Sequence, residues 1–124
     1  MTHWAIPLIG IPHRDGGQGP DAFDCWGLTR EALRRGWSVA MPPVSVQTED
    51  DQVAALRIAT RGWRLIENTP AHGDVVLMAN AEGRHVGVMV DGRLLHCGRQ
   101  GVAWERLADM RLRFWNLEVW RRDA

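Results

Sequence analysis

The sequence predicts an α+β domain, and three observations carry that expectation. The two long helical patterns lie in the first half of the chain. After Gly62 the pattern changes to short apolar runs bounded by turn residues. Those runs follow one another closely enough to pair antiparallel, so helices come first and an antiparallel sheet after them. The 124 residues suit one domain spanning 1–124. That length buries a core without disulfide or metal support.

The first stretch, "IGIPHRDGGQGPD", is rich in Gly and Pro, lacks an apolar period, and reads as a loop wrapping the next element. A helix follows within "GPDAFDCWGLTREALRRG". Asp21 or Asp24 can cap it, because a carboxylate accepts hydrogen bonds from the free N–H groups of a first turn. Cys25, Leu28, Ala32 and Leu33 form its stripe, Arg34 and Arg35 suit its negative end, and Gly36 is a natural stop. "AMPPVSVQ" is a connection, since its prolines deny helix. A second helix is expected over "TEDDQVAALRIATRG", capped by Thr48, ended by Gly62, and burying Val53 and Leu56.

Strands are expected at "GWRLIE", "GDVVLMA", "RHVGVMVDG", "RLLHCG" and "RFWNLEVWRR". Asp91–Gly92 between the third and fourth is a tight hairpin signal. "VAWERLADM" reads as a short helix or turn.

Composition excludes several classes. Apolar residues make up 45% and charged residues 24%, ordinary for a globular protein. Fifteen basic residues cancel fifteen acidic ones, which argues against a nucleic-acid partner. No apolar run approaches the roughly 20 residues of a membrane span. The N-terminus lacks a basic leader with a long apolar block, so synthesis without export and reduced Cys25 and Cys97 are expected. Seven Trp stand beside two Phe and no Tyr; Trp supplies large buried area, and some of it can line a groove.

Cys25 is the residue that invites chemistry. With Asp24 as cap it is the first residue of its helix, where the dipole and free N–H groups favour a thiolate. The same N–H groups suit the oxyanion of an attacked carbonyl. The plain alternative is a small buried residue at a helix start. A nucleophilic thiol needs a base. Pairing about Asp91–Gly92 sets Arg93 opposite Val90 and His96 opposite Gly87, so His96 shares a face with His85 two residues along. One imidazole can act as base while the other holds its tautomer. Gly87 leaves room beside them. Cys97 faces the other way and reads as buried and inert. A metal site from Cys25, His85, His96 and Cys97 lacks the tight local ligand pairs zinc uses, so neither metal nor other cofactor is expected.

Together, "FDCWGLTREAL", "GDVVLM" and "HVGVMVDGRLLHCG" resemble the NlpC-type (NlpC/P-sixty) cysteine peptidases, papain-like hydrolases of bacterial cell-wall peptides. They look most like the branch found in phage and prophage tail proteins, with "LIGIPHRDGG" as its loop. The resemblance covers nearly the whole chain. It implies Cys25 as nucleophile, His85 as general base and His96 as the residue orienting that base. The family usually carries a tyrosine near the loop's "GG"; here His13 stands near that place.

Substrate contacts are open at four positions. His13 borders the loop. Trp26 flanks the cleft or packs in the core; Asp24 binds a substrate amine or caps the helix; Arg84 meets a carboxylate or is a solvated strand-end charge. The resemblance further implies a peptidoglycan peptide substrate, phage tail proteins as partners, and incorporation into a tail particle after synthesis in the cytoplasm. Rival readings are a catalytically weak docking module, and another acyl transfer on the same fold, such as amidase or transglutaminase chemistry.

Overall fold

A computed structural model describes residues 3–42 and 62–123. After a 3-10 turn at Ile6–Leu8 comes helix α1, Cys25–Trp37. Six strands follow, with one short helix: β1 Trp63–Ile66, β2 Val75–Asn80, β3 Gly83–Val90, β4 Arg93–Gly98, β5 Gly101–Arg106, α2 Leu107–Met110 and β6 Trp115–Arg122. The strands form one sheet in the order β1-β6-β2-β3-β4-β5, every pair antiparallel. The α+β expectation holds. The second expected helix, with Thr48, Val53 and Leu56, lies outside the described residues.

Helix α1 begins where capping chemistry places it. Asp24 is the N-cap, and its Oδ1 accepts from the Gly27 N–H at 2.6 Å. That satisfies one orphan donor of the first turn and contributes about 1 kcal/mol. The helix ends one residue later than expected, with Ser38 in the left-handed region at φ 56°. Gly36 lies inside it for a packing reason: a Cβ there would stand 2.7 Å from the Trp4 ring.

The loop before α1 is laced to it. Asp24 N–H donates to the Gly17 carbonyl, Phe23 N–H to Pro12, and Arg14 N–H back to Phe23. A Cβ on Gly27 would sit 2.1 Å from the Gly17 oxygen, so the glycine after Cys25–Trp26 is the residue that lets the loop cross the first turn. The same loop edges the sheet, with Val102 N–H donating to Ile11 and Gly10 N–H to Val102.

Strand alternation divides the core between the two faces of the sheet. Val86, Val88, Val90, Leu95, Cys97 and Val102 join Cys25, Trp26, Leu28 and Leu33 on the α1 face. Val76, Met78, Met89 and Leu94 form a smaller cluster with Met110 of α2 on the other. The Asp91–Gly92 turn has both residues at positive φ, 47° and 84°, as a type I′ hairpin requires. Arg93 pairs with Val90 and His96 with Gly87, the register expected from the turn. "VAWERLADM" departs from expectation: residues Gly101–Arg106 are strand β5, and only Leu107–Met110 are helical. Val102 and Trp104 alternate toward the α1 side, and pairing with β4 overrides the helix preference of Ala103 and Glu105.

Candidate active site

The hairpin brings the two histidines together. Their rings stand edge to face, and His85 Nε2 lies 2.8 Å from His96 Nδ1. The chain of contacts continues outward: His96 Nε2 is 2.5 Å from Glu105 Oε2, which also accepts from Arg113 Nη2 at 2.7 Å. Phe114 stacks on the other side of the His85 ring, centroids 5.1 Å apart. Gly87 admits this arrangement, since a Cβ there would come within 3.0 Å of the His96 Cβ. These groups line a cleft of about 490 Å³ that also takes in Arg84 and Arg99.

Electrostatics make His85 a neutral ring. Burial, then the neighbouring His96, Arg113 and His13, push it down from 6.5 to about 3. Burial likewise lowers His96, against the pull of Glu105. Burial pushes the Glu105 carboxyl up, but hydrogen bonds from Arg113 and His96 outweigh it and hold the group below its ordinary value. With Nε2 of His85 engaged by His96, Nδ1 is the ring nitrogen available to a reacting group.

Cys25 is the first residue of α1 and 5% exposed. Its surroundings tie it to the histidine end of the hairpin. Cys97, which follows His96, donates its S–H to the carbonyl of Phe23 at 3.3 Å, two residues before Cys25. Cys25, Val86 and Cys97 share one core cluster. The rings and the sulfur nevertheless belong to different sides of the sheet. His85 pairs with Met78 and shares the parity of Met89, on the face away from α1. The β3–β4 ladder has its last pair at Gly87–His96.

The four expected substrate contacts fare differently. Trp26 is 0% exposed, packs in the α1 core, and donates its indole N–H to Pro42, so it is a core residue and does not flank a cleft. The whole first turn of α1, Cys25 to Leu28, is buried, so position 26 has no exposed side to present. Asp24 is buried, with its carboxylate turned to the Gly27 N–H, which is the capping role. His13 lies in the loop beside Phe23, near enough for its charge to bear on His85. Arg84 is exposed at the start of β3 and lines the cleft. Cys97 is buried, its thiol pushed up to about 12 by burial and by the Asp24 charge. Among the described residues, no group of three metal-ligating side chains gathers in one place.

Glu105, Arg113 and Phe114 were not foreseen. The available signal was the Val102–Trp104 alternation, which makes residue 105 a strand residue facing as His96 does. Arg113 and Phe114 arrive by the turn after α2 and carry no local signature.

Comparison with solved structures finds the NlpC/p60 domain of the peptidoglycan hydrolase SagA, 22% identical, covering 93% of this chain and 91% of that one, with a TM-score of 0.60. NlpC2 from Trichomonas vaginalis is 25% identical over 95% of this chain and 44% of that one, with a TM-score of 0.63. This chain therefore spans less than half of that protein. Comparison with curated proteins finds no match. The model of the NlpC/P60 family matches residues 10–121. That span runs from the glycine loop into β6, and the chain belongs to the NlpC/P60 family.

Proposed function

We propose that the chain is a cysteine peptidase that hydrolyses an amide bond in peptidoglycan stem peptides. The observation that carries the reading is the buried His85–His96–Glu105 chain at the end of the hairpin that meets the capped start of α1, where Cys25 stands. The description of SagA as a peptidoglycan hydrolase supports the substrate class.

In this mechanism neutral His85 takes the Cys25 thiol proton at Nδ1 as the sulfur attacks the carbonyl carbon. The oxyanion formed by the attack supports the imidazolium, which is why a ring held neutral at rest can still serve as base. The first-turn N–H groups of α1 stabilise the oxyanion. The imidazolium then protonates the leaving amine, and a water deprotonated by His85 releases the acyl group from sulfur. The step requires the sulfur and Nδ1 to meet past the end of the β3–β4 ladder, at Gly87.

Cys25→Ala tests it. Purified peptidoglycan digested by the parent and left intact by a folded Cys25→Ala variant is the expected result, read by mass spectrometry of released muropeptides. Equal digestion by both excludes the reading. The near-complete burial of Cys25 and His85, with Phe114 over the ring, favours a second reading: a docking module with little activity. Slow iodoacetamide labelling of Cys25, following an ordinary thiol, is its signature.

The order of the loop, "DCWGL" and "HVG" motifs supports a place among phage tail components, with targeting supplied by the tail assembly. Immunogold labelling of purified tails checks this, and unlabelled tails exclude it.

A further inference from the structure

We infer that Glu105 is a positioning residue that decides which nitrogen of His85 is bare. Its consequence for rate rests on the peptidase reading above; the proton arrangement does not. An ionised carboxylate only accepts hydrogen bonds. With Glu105 Oε2 at 2.5 Å, His96 Nε2 must carry the hydrogen. A neutral imidazole has one N–H, so His96 Nδ1 is bare and accepts. The nitrogen facing it at 2.8 Å, His85 Nε2, then carries the hydrogen of its own ring. His85 Nδ1 is left with a lone pair, the form a general base needs. Take the carboxylate away and the order can reverse: His96 Nδ1–H donates to His85 Nε2, and His85 Nδ1 is blocked by a hydrogen.

Arg113 makes the assignment robust. Its Nη2 donates to the same Oε2 at 2.7 Å, and a guanidinium has no acceptor. Whatever stands at 105 must therefore present an oxygen at that point. A glutamine is held with its carbonyl toward both His96 and Arg113, and keeps the proton order. A leucine offers nothing and lets it go.

The experiment is long-range proton–nitrogen NMR on the full chain with 15N-labelled histidine, in the parent, Glu105→Gln and Glu105→Leu. The parent and E105Q are expected to show Nε2–H and bare Nδ1 on both His85 and His96. E105L is expected to show a mixture including Nδ1–H on His85. On muropeptides, E105L should lose about 100-fold in kcat with KM unchanged, and E105Q should stay near the parent. A hydrogen on His85 Nδ1 in the parent overturns the inference, as does a folded E105L with the parental pattern. Should E105L not fold, a flipped proton order in E105Q overturns it and the parental order upholds it. A parent with the expected protons but no hydrolysis counts against the peptidase reading alone.

Discussion

Lowering the pH should destabilise this fold through one ring, and the size of the effect follows from its burial. His85 is 6% exposed and held neutral down to about 3, against 6.5 in a free chain. Between those values the unfolded state binds a proton that the folded state refuses, so stability is present above pH 6.5 and is lost as the pH falls toward 3. At about pH 5 the unfolded ring is almost fully protonated and the folded ring is not; the linkage integral from about pH 7.5 amounts to about 2 kcal/mol. At an m-value near ~2 kcal/mol per molar urea, the midpoint moves down by about 1 M. Glu105 and the other carboxylates add their own acid dependence, so the quantity to measure is a difference. Urea titrations of the parent and His85→Gln at both pH values read the ring together with its coupling to His96, with the carboxylates common to both proteins. The parent should lose about 2 kcal/mol more than the variant over this interval. Parallel losses would refute the reasoning. They would mean that His85 is already charged in the fold, as in a resting thiolate–imidazolium pair.

Three further outcomes follow from the packing. Gly27→Ala should cost at least about 2 kcal/mol by urea unfolding, since its Cβ would stand 2.1 Å from the Gly17 oxygen and loop or helix must shift. Trp26→Phe should cost about 1–2 kcal/mol, for the lost Pro42 hydrogen bond and ring volume. It should leave the KM for muropeptides unchanged, because Trp26 is fully buried in the α1 core. Cys97, its thiol at about 12, should resist Ellman's reagent near pH 8 in folded Cys25→Ala, with reaction only on unfolding.

Much of the local architecture was legible in the order of residues. Asp24 announced the helix start because a carboxylate before an apolar stripe has first-turn N–H groups to accept. Asp91–Gly92 set the register of β3 and β4, and with it the His85–His96 contact, because a two-residue turn leaves one pairing and a strand has a period of two. The reach of such signals is a few residues. They did not separate Trp26 the core residue from Trp26 the cleft wall, since that depends on which side of α1 the sheet covers. Nor did they bring Glu105, Arg113 and Phe114 to the histidines, because β5 reaches the site only through pairing with β4, and residues 113 and 114 only through the turn after α2. Periodicity and capping act between neighbours along the chain. The proton order of His85 and its burial arise between residues far apart in it, and exist only once the sheet has closed around them.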